Sequence, residues 1–303
     1  MRIGKSLVGT GVSFAAIVAG GMLRAQDALD GLERIGKPTP GGMSLQPAAT
    51  EVARDIHFLD NMILWIISAI TLLVMVLLLW VIIRYNSRVN KTPATFTHNS
   101  VVEVLWTLGP IVVLIFIGAF SLPVLFKQLE IPKADLTIRV TGNQWFWNYE
   151  YPDQNIAFDS YMIGQPATLE GDQAYVLNDE VKAKLKAEGY NQDEFLLAVD
   201  NPMVVPVGKY VVLEVTGADV IHAWAMPAFG VKMDAIPGRI NRTWFKADKI
   251  GIYFGQCSQL CGKDHAFMPI VVKVVSQDAY EKWLGRARDQ FAGTPRKMTV
   301  ASR

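Results

Sequence analysis

The chain has 303 residues, is 51% hydrophobic and only 19% charged, and carries a formal net charge of +1. That balance excludes an intrinsically disordered chain, which needs low hydrophobicity and high charge, and it offers no basic excess to attract nucleic acid. Two cysteines cannot build a disulfide-rich scaffold, and the length admits one or two domains.

The first apolar cluster, residues 7–22, follows Arg2 and Lys5. A short basic end and an apolar run too short to span a bilayer read as a secretory signal, assigned to residues 1–25. The small residues Ala25 and Ala28 suit cleavage, although Leu23 is a poorer fit than alanine at the −3 position; an uncleaved anchor is the alternative. Within the next segment, 26–134, two longer runs stand out. Residues 62–83 contain no charge, and residues 104–126 are similarly apolar, so each is long enough to cross a membrane as a helix. Gly109, Pro110 and Pro123 in the second run are better tolerated in membrane helices than in soluble ones. The connector carries Arg84, Arg88 and Lys91 and no acid. It therefore faces the cytoplasm and both ends of the mature chain face outward, as a signal sequence also requires.

From Asp135 the apolar runs become short and β-branched. Strands are expected near 136–141, 145–151, 210–216, 239–246, 251–255 and 270–275, punctuated by glycine and proline, the pattern of a sandwich or barrel. Residues 178–189 read as a charged, helix-favouring surface insertion and 276–291 as a terminal helix. The outer domain is thus 135–290, and 291–303 is a patternless tail. Residues 135–248 hold 16 acids against nine bases. Such an acidic front serves either solubility or the docking of a basic partner.

The stretch CSQLCGKDHAFM contains both cysteines, spaced Cys257-x3-Cys261-x3-His265-x2-Met268. Upstream, His222 stands at a strand end in VIHAWAMP. His57 precedes the first span and His98 lies in the connector, so only His222 and His265 share the compartment of the cysteines. Three readings compete. A Cys257–Cys261 disulfide suits an oxidising compartment but leaves the other donors as coincidence. Structural zinc fits the spacing less well and has no use for a thioether. Copper accepts thiolate, imidazole and a weak methionine ligand. Two thiolates can bridge two copper ions, one histidine can cap each, and Met268 and a backbone carbonyl can serve as weak axial ligands. Softness and ligand count favour this binuclear CuA composition. A site of that kind spreads one electron over two metals, changes little on reduction and leaves no open position for bond chemistry, so it acts as an electron relay.

With these ligands the chain resembles subunit II of the bacterial haem-copper cytochrome c oxidases. VTGNQWFWNYEY, FDSYMIG, VTGADVIHAWAMPAFGVKMDAIPGR and the two-cysteine loop carry the likeness, which covers nearly the whole mature chain. The resemblance implies a two-helix transmembrane hairpin in the bacterial inner membrane and an all-β, cupredoxin-like Greek-key barrel in the periplasm. It implies a CuA centre held by His222, Cys257, the carbonyl of Gln259, Cys261, His265 and Met268. It gives electron entry to Trp145, cytochrome c docking to Glu150, Asp159, Asp200 and Asp219, and a proton-path entrance to Glu103. The implied partners are oxidase subunit I, where haem reduces oxygen and protons are pumped, the other oxidase subunits, and cytochrome c. Taken by themselves, Trp145 and Trp147 share one strand face and alternation does not choose between them; Glu103 could equally be an interfacial acid. Where the family usually has glutamate, this chain has Gln259. Its carbonyl serves copper equally, but its neutral side chain should weaken the magnesium ion shared with subunit I, because hard cations prefer charged oxygens. A membrane-anchored periplasmic copper chaperone is the alternative of a different class, since such proteins use Cys-x3-Cys with a distant histidine. They lack His-x2-Met after the second cysteine and require βαβ alternation. Quinol oxidase subunits generally lack the copper ligands, and a nitrous oxide reductase would lack the spans.

Overall fold

The computed structural model describes residues 31–171 and 173–291. The signal assignment and nearly all of the tail lie outside these residues.

Two long helices form the membrane hairpin. Helix α1, Glu51–Arg84, starts at Thr50, whose hydroxyl accepts from Ala53 N at 3.0 Å, and has an acid in its first turn and a base in its last. It extends well ahead of the expected 62–83. At 1.5 Å per residue its 34 residues span roughly 50 Å against a bilayer core of about 30 Å. The apolar run marks only the part in lipid; the first turns dock on the outer domain, where Val52 and Ala53 are buried. Gly230, at φ +69°, permits this approach: a Cβ there would stand 3.0 Å from the Cα of Ala53. Helix α2, Ser100–Leu129, is capped by Asn99 and runs back antiparallel, so that Lys127 near its end reaches Glu51 and Asp55 at 2.5 and 2.7 Å. Phe58 and Phe120 touch across the pair. Leucines along both helices face outward, as at Leu78 and Leu114, a surface that suits lipid and not water.

The outer domain is a β-sandwich. Its strands are β1 (Arg34–Gly36), β2 (Leu136–Asn143), β3 (Phe146–Tyr151), β4 (Ile156–Ser160), β5 (Met203–Pro206), β6 (Val211–Gly217), β7 (His222–Met226), β8 (Val231–Ala235), β9 (Asn241–Phe245), β10 (Gly251–Gln256) and β11 (Pro269–Val275). One sheet has the order β4-β3-β2-β6-β9, the other β1-β10-β11-β5, and β7 and β8 form a separate hairpin. The parallel pairings β2–β6 and β11–β5 join strands distant in sequence, the crossovers of a Greek-key arrangement. Strands β2 and β3 alternate buried and half-buried residues, sending Ile138, Val140, Trp147 and Tyr149 into the core against Trp224, Phe245, Tyr253 and Val272. Each such side chain contributes about 1.5–3 kcal/mol.

The six expected strands are present with shifted ends. Strands β1, β4, β5, β7 and β8 were not expected as such, and β1 brings the segment before the membrane helices into the outer domain by pairing with β10. Helix α3, Asp179–Ala187, buries Val181 and Leu185 against Tyr190, Val199, Ile252, Phe254 and Val271, so the insertion is a packed layer over β10 and β11. Helix α4, Gln277–Phe291, closes the sandwich with Trp283 on Tyr151 and Phe158.

Candidate metal centre

The cysteine loop is the connection of the β10–β11 hairpin. The ladder ends at the pair Gln256–Pro269, and Cys257 N donates to Met268 O at 3.3 Å across the loop's base. Ser258 N donates to Ala223 O at 3.0 Å, which fastens the loop to β7, the strand that opens with His222. Gly142 on β2 makes room for that imidazole, since a Cβ there would fall 2.9 Å from the ring.

All six expected donors meet here. The ligand atoms of His222, Cys257 and Cys261 lie within 4.8 Å of one another. The Cys261 sulfur is 3.5 Å from His265 Nδ1 and 3.5 Å from Met268 Sδ, and the Cys257 thiol donates to the Gln259 carbonyl at 3.4 Å. His222, Cys257, Cys261 and Met268 are buried, His265 is half-buried and Gln259 is exposed. The sulfurs are free and stand 3.9 Å apart, well beyond the bond of about 2.05 Å that the disulfide reading needs. The donor set fits a soft metal on a further ground. His222 Nδ1 is buried without a hydrogen-bond partner, a cost that a metal bond would remove.

The other nitrogen, Nε2, lies 2.8 Å from Asp219 Oδ1, so the carboxylate fixes the tautomer and leaves Nδ1 as the donor atom. Burial opposes charge on this ring, but the neighbouring Cys257 sulfur and the Asp219 carboxylate outweigh it and hold the His222 pKa above its ordinary value. Burial likewise opposes ionisation of Cys257, yet His222 and backbone amides pull its pKa down. Burial and the neighbouring Cys257 push Cys261 up to about 12. The metal-free site thus holds protons that a cation must displace.

Trp145 does not begin strand β3 as expected. It sits in the turn before it, half-buried, and its Nε1 donates to the carbonyl of Cys261 at 3.3 Å. Gln144 Nε2 donates to the same oxygen at 2.8 Å. Gly262, at φ +127°, leaves space for that indole, which a Cβ would approach to 2.9 Å. Trp147 is fully buried and donates to Met268 O at 3.3 Å. The structure therefore separates two tryptophans that alternation leaves equivalent.

The expected docking acids have varied surroundings. Glu150 is half-buried and paired with Arg139 at 2.9 Å. Asp159 accepts from Asn148 at 2.8 Å. Asp200 accepts from the amides of Tyr161 and Asn201, and burial pushes its pKa up to about 6. Asp219 touches His222 and accepts from Gln144 N at 2.8 Å. Glu103 opens helix α2, far from the metal donors in sequence and element, and its carboxylate accepts from Asn99 N at 3.3 Å as part of the helix cap. The sequence reading missed Gln144 and Gln165 altogether. For Asp219 it missed the link to His222, which the Asp-x2-His spacing could have suggested.

The chain is similar to known proteins over most of its length. The family model described as cytochrome c oxidase subunit II, periplasmic domain, matches residues 136–275, and the one described as its transmembrane domain matches residues 38–124. A cytochrome c oxidase subunit 2 from Cereibacter sphaeroides is 56% identical over 288 residues, 95% of this chain and 93% of that one. A probable cytochrome c oxidase subunit 2 from Rickettsia bellii is 42% identical over 82% of this chain and 85% of its own. Among solved structures, the periplasmic domain of subunit II from Bradyrhizobium japonicum is 50% identical, covers 54% of this chain and 99% of that one, and aligns with a TM-score of 0.42.

Proposed function

This chain belongs to the cytochrome c oxidase subunit II family, and on that premise we propose that it is the electron-entry subunit of a respiratory terminal oxidase, seated in the bacterial inner membrane with its outer domain in the periplasm. His222, Cys257, the Gln259 carbonyl, Cys261, His265 and Met268 would hold a binuclear CuA centre. When bound, the copper pair supplies a one-electron store shared over two metals with little structural change. The chain's own residues do the rest. The acidic front of the domain orients a basic cytochrome c, and Trp145 presents its ring between that surface and the copper loop. Asp219 holds the His222 ring in place, and the surrounding β-sandwich keeps water from the thiolates. The electron leaves for haem in subunit I, where oxygen is reduced to water and protons are pumped. The two helices hold the outer domain over that partner, and Glu103 marks the cytoplasmic mouth of a proton path.

One contact supports this reading most directly: the half-buried indole of Trp145 donates to the backbone of a metal-binding cysteine at 3.3 Å. The copper-chaperone alternative is disfavoured by the same site. A delivery protein must open to hand over its ion, whereas Cys257, Cys261 and His222 are 6%, 4% and 0% exposed inside a β-sandwich. Rapid mixing of the assembled oxidase with reduced cytochrome c tests the proposal. The copper band should bleach before haem is reduced, and Trp145→Ala should slow that phase with little change in KM. Haem reduction ahead of the copper band would contradict it.

A further inference from the structure

Among the described residues, Gln165 is the one buried polar side chain outside the donor set that reaches both the tryptophan turn and the metal loop. It follows strand β4, is 5% exposed, and lies at the entrance to the inserted layer. Its Nε2 donates to Trp145 O at 2.7 Å and to Phe267 O at 2.9 Å. Phe267 stands between the expected ligands His265 and Met268. A single amide nitrogen therefore uses both of its protons to join the backbone of the electron-entry residue to the backbone of the loop that receives the electron.

The backbone that carries this side chain is itself held. Gln165 N donates to Met162 O at 3.1 Å, and the Thr168 hydroxyl, from the short turn Pro166–Thr168, donates to Gln165 O at 2.9 Å while accepting from Gly164 N at 3.0 Å. The metal loop has further anchors: the Cys257–Met268 bond, the tie to Ala223, and the Trp147 bond to Met268. Trp145 is tied to the loop by its indole N–H to Cys261 O at 3.3 Å, close to the limit of hydrogen-bond length. The exposed Gln144 side chain shares that carbonyl at 2.8 Å, so Gln165 is the buried tie between this turn and the loop.

We propose that Gln165 is a positioning residue for electron entry, clamping the Trp145 turn to the copper loop so that the indole stays seated on the Cys261 carbonyl. This rests on Trp145 being the entry point. Electron transfer weakens steeply with the gap between donor and acceptor, so loss of the clamp slows entry without disturbing the metal.

The test uses assembled oxidase carrying Gln165→Met, which keeps the length of the side chain and removes both donors, alongside Gln165→Glu and Trp145→Ala. The copper spectrum, KM for cytochrome c and the rate of copper reduction are read on each. Gln165→Met should keep the copper spectrum and KM and slow entry by about 10-fold or more. Gln165→Glu should recover part of that rate as the pH falls, because a protonated carboxyl regains one donor whereas a carboxylate faces two carbonyls. An unchanged rate in Gln165→Met, with Trp145→Ala slow, overturns the clamp alone. An unchanged rate in Trp145→Ala overturns the entry reading beneath it. Loss of the copper spectrum in both Gln165 variants also overturns the clamp, by making Gln165 a support of the metal loop itself.

Discussion

Nε2 of His222 lies 2.8 Å from Oδ1 of Asp219, a carboxylate that family resemblance alone assigns to the docking face. The same carboxylate accepts from Gln144 N, next to Trp145, through its other oxygen at 2.8 Å. One side chain therefore orients the imidazole of an expected metal ligand and the turn that carries the expected electron-entry residue.

Replacing Asp219 with asparagine should act on the metal before it acts on docking. The amide keeps the shape but loses the charge that fixes the tautomer, and outer partners of this kind are worth about 10–100-fold in metal affinity. Copper titration against a competing chelator should show that loss for Asp219→Asn. A raised KM for cytochrome c with unaltered copper affinity would return Asp219 to a pure docking role.

Asp200 gives a pH dependence whose sign is fixed. Burial raises its folded pKa from 3.8 to about 6, so the folded domain binds a proton more readily than the unfolded chain. Stability from this group is fully present below about pH 4 and is lost as pH rises to about 6, by roughly 2–3 kcal/mol. Asp200→Asn should flatten that slope and leave the outer domain at least as stable at pH 7. Denaturant unfolding between pH 4 and 7 measures it. If Asp200 also helps dock cytochrome c, the variant raises KM at pH 7 and leaves it unchanged at pH 5.

Gln259 is exposed, and its carbonyl accepts from the Cys257 thiol at 3.4 Å. Its side chain is neutral where the family resemblance calls for a carboxylate. Gln259→Glu in the assembled oxidase should raise magnesium or manganese affinity by about 10-fold, the order of one charge-assisted ligand, and leave the copper spectrum unmoved. Tight stoichiometric magnesium in the native protein, unchanged by the substitution, would contradict this.

The segment before the first helix is a structural part of the outer domain. Arg34 donates to Glu194 at 2.9 Å and to Gly189 O at 2.6 Å, and Glu194 has no exposure at all. Arg34→Met strands that carboxylate, leaving it the amide of Asn191 at 2.6 Å. A loss of roughly 1–3 kcal/mol is expected, moderated because Arg34 is itself 26% exposed. Thermal unfolding should register the loss while the copper spectrum stays the same.

Much of the site was legible because its chemistry is local. Five of the six donors fall within twelve residues, and softness alone selects among metals. The membrane helices were legible as apolar runs, but the first turns of α1 carry Glu51, Arg54 and Asp55, and no hydropathy pattern shows that Thr50 and Ala53 meet Phe229 and Gly230. The missed strands have physical reasons too. Strand β1 is three residues long and exists only because the edge of β10 is available, and β5 and β7 are buried on both faces, so neither alternates. The polar frame was hidden most completely. Nothing in the spacing brings Gln165 to Trp145 and Phe267, or turns Glu150 toward Arg139, because those pairings are made by the sheet and not by the chain.

Copper loading of the purified full-length chain, followed by metal analysis and electron paramagnetic resonance, tests the central claim most directly. Two thiolates, two imidazoles, a thioether and a carbonyl gathered at one site, five of them from the β10–β11 loop and His222 from β7, predict two coppers per chain and a seven-line mixed-valence signal. A single copper with a type 1 signal, or no copper uptake with both thiols reduced, would contradict it.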